Sequence, residues 1–247
     1  MKVTITEMHS IRDCIRALYM SKRTWSPEFE EYLRQLVSAS VDKYGMPVKN
    51  DDGRYEFDEF EALTDKVFKY GQRHTTLLRF LDISAVVEGL HRGATDDFDS
   101  HAKRLENRIV RSSTRLATYD AGEMSDWYIG KIIPTDVMLT HLGVKTPDEI
   151  EYEGQTYVKA TNGYILKGLE NDNDVKRGLY MLSLPMNFTF KVNIPELAHI
   201  YRLRGNEKYG AVGTAAPELQ LMMEILMDQV QEWYPQITRE YLLRMEL

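Results

Sequence analysis

An arginine on the apolar side of a predicted helix is the first candidate for chemistry. The spacing of apolar residues predicts a helix over 194–204, and Arg204 lies in the same arc as Leu197, with His199 at the edge of that arc. A guanidinium buried among apolar side chains costs several kcal/mol unless an anion meets it. Either Arg204 reaches water as a last-turn cation favoured by the helix dipole, or it marks an anion-binding site. Helical geometry leaves both interpretations open.

A run of arginines at helical spacing is the second candidate. Arg104, Arg108, Arg111 and Arg115 would form one basic stripe if their segment were a single helix, and Ser113 adds a hydroxyl beside them. Arginine forks and hydroxyl groups together suit a phosphate monoester. The alternative is an ordinary solvated face, balanced by the nearby acidic residues Asp96, Asp97, Asp99 and Glu106.

A strand leads directly into the helix that carries Arg204. Alternation from Leu184 to Val192 predicts a strand with one apolar face. Asn193 is a favourable N-cap, with Glu196 three residues later as in a capping box. Gly205 follows the last helical residue and predicts a left-handed C-cap.

The remaining pattern predicts several helices, a second long strand and a pair of hairpins. A short strand is predicted at 2–6, the long strand at 81–90, and hairpins over 149–166 with turns at Glu153-Gly154 and Asn162-Gly163. Helices are predicted after Ser10 and Ser26, at 57–70, from Thr95 through Ile109, at 134–142 and 173–180, and from Pro217. The predicted fold class is therefore α+β, with a mixed or antiparallel sheet and several packed helices, in a single domain over 1–247.

Composition narrows the possible functions. The chain has 247 residues and a net charge of −7, which argues against a general nucleic-acid binder but allows a local basic pocket. No apolar run approaches the roughly 20 residues that span a bilayer, and the N-terminus lacks a signal-peptide core. Cys14 is the single cysteine and lies on an apolar face, so we expect a core residue, no disulfide and no cysteine-based metal site. We expect a cytoplasmic protein without a metal ion or a membrane partner.

Three separated blocks together resemble the flavin-dependent thymidylate synthase family. His74-Thr75-Thr76 is similar to the family's flavin-contacting segment before a strand, and Ser113-Thr114-Arg115 is similar to the end of its signature motif. In the third block, Arg177 and Arg204 flank Asn193 at the spacing of the family's two dUMP-binding arginines. The resemblance covers a core at 74–235, preceded by a mostly helical part at 1–72. The signature departs from the family at its start, where Ser100-His101-Ala102 or Ala102-Lys103-Arg104 stands for Arg-His-Arg.

The resemblance implies a function and a set of site residues. The implied reaction is reductive C5-methylation of dUMP to dTMP, with FAD as cofactor and with NADPH and methylenetetrahydrofolate as co-substrates, in a homotetramer. Arg204 would contact the pyrimidine as the catalytic residue, and the substrate would also be held by Ser113, Arg115 and Arg177. FAD would be contacted by His74, Thr76, Arg104, Asn193 and His199.

Two other functions remain open on the same residues. One is a diverged methylase or hydroxymethylase that acts on UMP or another pyrimidine nucleotide. The other is a nucleotide-binding protein that has kept the fold and lost the flavin. Arg202, which points away from the face that carries Arg204, is expected to be a residue of no special role.

Overall fold

The structure is a computed structural model that describes residues 1–100, 107–111, 124–133, 135–176, 179 and 182–246. Its strands are β1 Lys2–His9, β2 Asp82–His91, β3 Asn107–Arg111, β4 Glu149–Tyr152, β5 Gln155–Ala160, β6 Gly163–Leu166 and β7 Pro185–Asn193. Its α-helices are α1 Ile11–Met20, α2 Pro27–Ser40, α3 Asp58–Gly71, α4 Arg92–Ser100, α5 Thr135–His141, α6 Asn173–Lys176, α7 Ile194–Arg204, α8 Pro217–Trp233 and α9 Arg239–Leu243. Short 3₁₀ helices cover Thr75–Phe80, Asp126–Tyr128 and Glu207–Tyr209. The predicted α+β class with antiparallel sheets is confirmed.

An antiparallel sheet in the order β1-β2-β7-β3 forms the centre of the protein. The predicted alternation in β7 is confirmed, because Met186, Phe188, Phe190 and Val192 are buried. Phe98 of α4 packs its ring 5.2 Å from the ring of Phe190, so α4 covers this apolar face. The sheet therefore holds α4 close to the strand that leads into α7.

The outer strand β1 has a backbone edge that needs hydrogen-bond partners. Gln229 of α8 supplies them, since its Oε1 accepts from the Ile5 N–H at 2.8 Å and its Nε2 donates to the Val3 carbonyl at 2.8 Å. One amide side chain thus pairs with both kinds of backbone group and fixes α8 across the edge of the sheet.

The chain after α4 is not the long helix that the sequence predicts. Helix α4 is described over Arg92–Ser100, and Asn107–Arg111 forms β3, with Ile109 opposite Phe190 of β7. The helical spacing from Thr95 to Ile109 was therefore a wrong guide. The open edge of β7 offers backbone hydrogen bonds and an apolar surface for Ile109, and this tertiary pairing overrides the local preference.

The caps of α7 are predicted correctly at its start and wrongly at its end. Asn193 Oδ1 accepts from the Glu196 N–H at 2.9 Å, as an N-cap does. Gly205 has φ −72° and ψ 176°, which is extended backbone rather than a left-handed C-cap. A Cβ atom at Gly205 would lie 2.6 Å from the Tyr201 carbonyl oxygen, so close approach of the backbone explains the glycine.

A second antiparallel sheet, in the order β4-β5-β6, contains the predicted hairpins. Glu153 and Gly154 both have positive φ, 51° and 75°, as a two-residue turn of this kind requires. The second turn consists of Thr161 and Asn162, one residue earlier than predicted, because Ala160 pairs with Gly163; Asn162 has φ 66°. The assignment of the whole chain to one domain stays a prediction.

Candidate functional site

Arg204 is buried and has an acidic partner. Its side chain is 9% exposed, and its Nη2 lies 2.9 Å from Oδ1 of Asp97 in α4. A guanidinium on this face was expected to need an anionic partner, and Asp97 of the same chain is that partner. Arg204 does not extend into water as an ordinary last-turn cation, because α4 covers the end of α7 with a carboxylate. One of the five N–H donors of the guanidinium is engaged by this contact.

The predicted arginine stripe does not exist as a helical face. Arg108 and Arg111 lie in β3, and Arg111 forms ion pairs with Asp96 and Asp99 of α4. For Arg111 the balanced, solvated interpretation is therefore the correct one. Three neighbouring aspartates of α4 thus divide their partners: Asp97 contacts Arg204, whereas Asp96 and Asp99 contact Arg111.

The segments that carry four predicted flavin contacts lie side by side. The 3₁₀ helix Thr75–Phe80 packs against α7 and against β7. His74 and Thr76 are exposed on this segment, whereas His199 of α7 is half-buried and Asn193 is buried. Asn193 Oδ1 is committed to the cap of α7, so only its amide Nδ2 can donate to a ligand.

The other predicted site residues cannot be located. Arg104, Ser113, Arg115 and Arg177 lie outside the residues that the structure describes. Their assignment as substrate and flavin ligands stays a prediction.

A buried polar network joins the end of β2 to the start of α8. Both oxygens of the buried Glu218 carboxylate are engaged: Oε1 accepts from the Ser125 hydroxyl at 2.7 Å, and Oε2 accepts from the His91 N–H at 3.1 Å. His91 Nε2 lies 3.5 Å from the same Oε2. The Ser125 N–H donates in turn to the Ser183 carbonyl, just before β7. The network therefore connects segments that are far apart in the sequence.

The ring of His91 is held in a neutral form. Its Nδ1 accepts from the Ala94 N–H at 3.0 Å, so the ring proton is assigned to Nε2, which faces Glu218. Burial lowers the pKa of His91 below its ordinary value of 6.5, because desolvation outweighs the opposing attraction of Glu218. Ser125 contacts the carboxylate and not the imidazole, so this arrangement is not that of a serine nucleophile activated by a histidine base.

Cys14 is not a candidate nucleophile. The side chain is fully buried, and burial raises the pKa of its thiol. A thiol in such surroundings stays protonated and inert. The predicted core position of Cys14 is confirmed.

Arg202 has a structural role that the sequence did not predict. Its Nη2 donates to the carbonyls of Leu243 and Met245, at 3.1 Å and 2.9 Å. The side chain thus ties α7 to the C-terminal segment, and Arg202 is not the neutral position that its exposed helix face suggested.

Comparison with solved structures identifies the fold. The chain has the fold of the flavin-dependent thymidylate synthases and related pyrimidine-nucleotide methylases, as the sequence resemblance predicts. The crystal structure of the UMP/dUMP methylase PolB from Streptomyces cacaoi, bound with 5-Br dUMP, matches with a TM-score of 0.56 and 11% identity over 97% of this chain and 93% of that chain. The flavin-dependent thymidylate synthase ThyX from Helicobacter pylori, complexed with FAD and dUMP, matches with a TM-score of 0.50 and 13% identity over 96% of this chain and 100% of that chain. No family model and no curated protein sequence matches the chain. At sequence identities of 11% and 13%, these similarities establish the fold alone.

Two features of the site were beyond local sequence patterns. In the sequence, Asp97 is one of several acidic residues beside the arginine run, and no local pattern indicates the Glu218 network. Glu218 stands one residue after Pro217, where acidic residues are common in a first helical turn, so its position gave no signal of a buried role.

Among the described residues, no helix is both long and apolar enough to cross a membrane.

Proposed function

We propose that this protein is a pyrimidine-nucleotide C5-methylase that converts dUMP to dTMP, with FAD as cofactor and with NADPH and methylenetetrahydrofolate as co-substrates. The observation that carries the proposal is the buried Arg204, held by Asp97 at the end of α7 in this fold. The family resemblance assigns the substrate-contacting arginine to the same residue. The matching crystal structures contain 5-Br dUMP in PolB and FAD with dUMP in ThyX, and these ligands support the choice made here.

Arg204 would bind the pyrimidine and stabilise negative charge that develops on it. A planar guanidinium can direct two donors to a carbonyl edge, which a lysine ammonium cannot do. Asp97 holds that guanidinium through Nη2, so the side chain would be positioned before substrate arrives. Ser113, Arg115 and Arg177 complete the proposed clamp on the phosphate and sugar.

Those residues proposed to contact the flavin that the structure describes carry polar groups whose chemistry suits FAD. The exposed hydroxyl of Thr76 and the imidazole of His74 are polar groups open to a ligand, and the Asn193 amide can donate while its oxygen caps α7. With His199 and Arg104 they would hold the flavin, which when bound supplies the reducing step of the methylation. The protein's side chains would bind and orient the flavin ring and the pyrimidine ring. They would not supply a cysteine nucleophile, since the only cysteine of the chain is buried and inert.

The test is spectroscopic and then kinetic. Purified protein, or protein titrated with FAD, should absorb at about 450 nm as oxidised flavin does. The flavoprotein should bind dUMP and form dTMP in the presence of NADPH and methylenetetrahydrofolate. Light scattering should give about four times the 28.8 kDa chain mass, because we propose a homotetramer.

The same measurements separate the alternatives. A flavoprotein that prefers UMP would point to the diverged methylase or hydroxymethylase. A colourless protein that does not bind added FAD but binds dUMP would be the non-catalytic nucleotide binder. A protein that binds neither FAD nor a pyrimidine nucleotide would refute the proposal altogether.

A further inference from the structure

A cleft of about 690 Å³ lies between α1, α2 and α3, apart from Arg204 and the Glu218 network. Its floor is apolar and includes Ile15 and Leu63. Its wall is aromatic: the rings of Tyr19 and Phe29 stack with their centroids 3.5 Å apart, and Tyr32 packs 6.2 Å from Phe29. The volume is within the range of pockets for small organic ligands, roughly 300–1,000 Å³.

The rim of the cleft carries four cations, Lys22, Arg23, Lys66 and Lys69. None of the lining side chains is acidic, although the whole chain has a net charge of −7. Within the described part of the chain, none of the four forms an ion pair with a carboxylate. Lys22 instead donates to the Tyr70 hydroxyl at 3.1 Å. Like charges around an apolar space repel one another, so an anion bound among them would relieve that repulsion.

From the aromatic wall and the unneutralised rim we infer that this cleft binds a planar aromatic ligand with at least two negative charges. Phe29 stacks on the Tyr19 ring, and the Arg23 guanidinium lies over that ring, 5.6 Å from its centroid. The ring of the ligand therefore packs against the edge of the Tyr19–Phe29 pair, since edge-to-face contact between aromatic rings is favourable. The anionic groups meet Lys66 and Lys69, which lie one helical turn apart on α3 and face the same opening. Two chemistries satisfy this description: a pteridine with a glutamate tail, and an adenine nucleotide. The inference does not depend on the proposed methylase function.

Folic acid and ADP are the two probes. Each is titrated calorimetrically into the full chain in the presence of saturating FAD and dUMP, so that binding at the proposed flavin and nucleotide sites is already accounted for. We expect at least one probe to bind with an affinity that falls as salt is added, because exposed charges are screened. Selective binding of folic acid would identify the pteridine class, and selective binding of ADP the adenine class.

Two variants and a matched control locate the binding. Lys66→Glu/Lys69→Glu reverses two exposed charges and should weaken the probe about tenfold or more. The control Lys145→Glu/Lys159→Glu makes the same charge change at exposed positions outside the cleft and should leave the affinity unchanged within about twofold. Leu63→Trp fills the floor without changing the charge and should also abolish binding. If that variant does not fold, the charge-reversal pair decides alone.

Two results would overturn the inference. The first is that neither probe binds at millimolar concentration. If the oligomeric mass then also falls in the Lys66→Glu/Lys69→Glu variant and not in its control, the cleft is covered by a second copy of the chain. The second result is that a probe binds the parent and the Lys66→Glu/Lys69→Glu variant equally well, which would put the site elsewhere.

Discussion

Substitutions in the Arg204–Asp97 pair should affect the stability of the protein and its affinity for dUMP to different degrees. At a distance of 2.9 Å and an effective dielectric constant of about 20, the direct attraction is about 6 kcal/mol. Desolvation offsets much of it, because the side chains are only 9% and 30% exposed. We therefore expect a net coupling of about 1–3 kcal/mol from a double-mutant cycle of Arg204→Ala, Asp97→Ala and the double variant. Because Arg204→Ala leaves the Asp97 carboxylate without this partner, it should also lower the free energy of unfolding.

Arg204→Lys is the informative variant. A lysine keeps the charge and can still pair with Asp97, so the free energy of unfolding should fall by less than about 1 kcal/mol. It lacks the planar fork, so dUMP affinity and turnover should fall about ten- to a hundredfold, as for Arg204→Ala. Asp97→Ala leaves the fork and loses only its orientation, so we expect a smaller loss of dUMP affinity, about three- to tenfold.

Urea unfolding and dUMP titration of each variant are the assays. Arg202 is not a suitable control, since its guanidinium bonds to Leu243 and Met245. Arg54→Ala is better matched, because Arg54 is exposed in a loop and its backbone N–H and carbonyl form hydrogen bonds with Asn50. Parent-like dUMP binding by Arg204→Ala would show that this arginine is only a structural cation. Strictly additive stabilities in the cycle would show that the ion pair contributes nothing in solution.

Two further predictions concern the buried network. Ser125→Ala should lower the free energy of unfolding by about 1–3 kcal/mol, because it leaves a buried carboxylate oxygen without its hydroxyl donor. The control Ser38→Ala, on the exposed face of α2, should change it by less than about 0.5 kcal/mol. Equal effects of the two variants in denaturant unfolding would argue against the network. The lowered pKa of His91 means that the unfolded chain binds its proton first, so the contribution of His91 to stability should be complete above pH 6.5 and decline as the pH falls below it. When unfolding is measured between about pH 8 and about pH 5, the free energy of unfolding of His91→Asn should fall less steeply with decreasing pH than that of the parent. An unchanged slope would contradict this reasoning.

The parts of the fold that the sequence predicts are those with a local signal. The alternation along β7 identifies its buried face, and Asn193 marks the start of α7, because both depend on neighbours within a few residues. The helix through Ile109 was wrong for the same reason: Phe98 and Ile109 fit a helical period, but the open edge of β7 lies far away in sequence. Gly205 was assigned to the right place for the wrong cause, since crowding against Tyr201 leaves no sign in the residue order.

The site itself was predictable only in part. Physical reasoning on one helix could say that Arg204 needs an anion, but the choice of Asp97 among several nearby acids depends on how α4 packs across the sheet. The Glu218 network could not be foreseen at all, because its members lie on three segments separated by at least thirty residues: His91, Ser125 and Glu218.

Helix α4 connects the candidate site to this network. At its start, the Ala94 N–H donates to the His91 ring and the Thr95 hydroxyl donates to the His91 carbonyl, at 3.0 Å and 3.2 Å. Since Glu218 holds His91 through its backbone N–H, the buried carboxylate fixes the point from which α4 departs. Less than one turn after Thr95, the same helix presents Asp97 to Arg204. The position of the guanidinium therefore depends on a buried, hydrogen-bonded support rather than on a surface loop, as the proposed pyrimidine site would require.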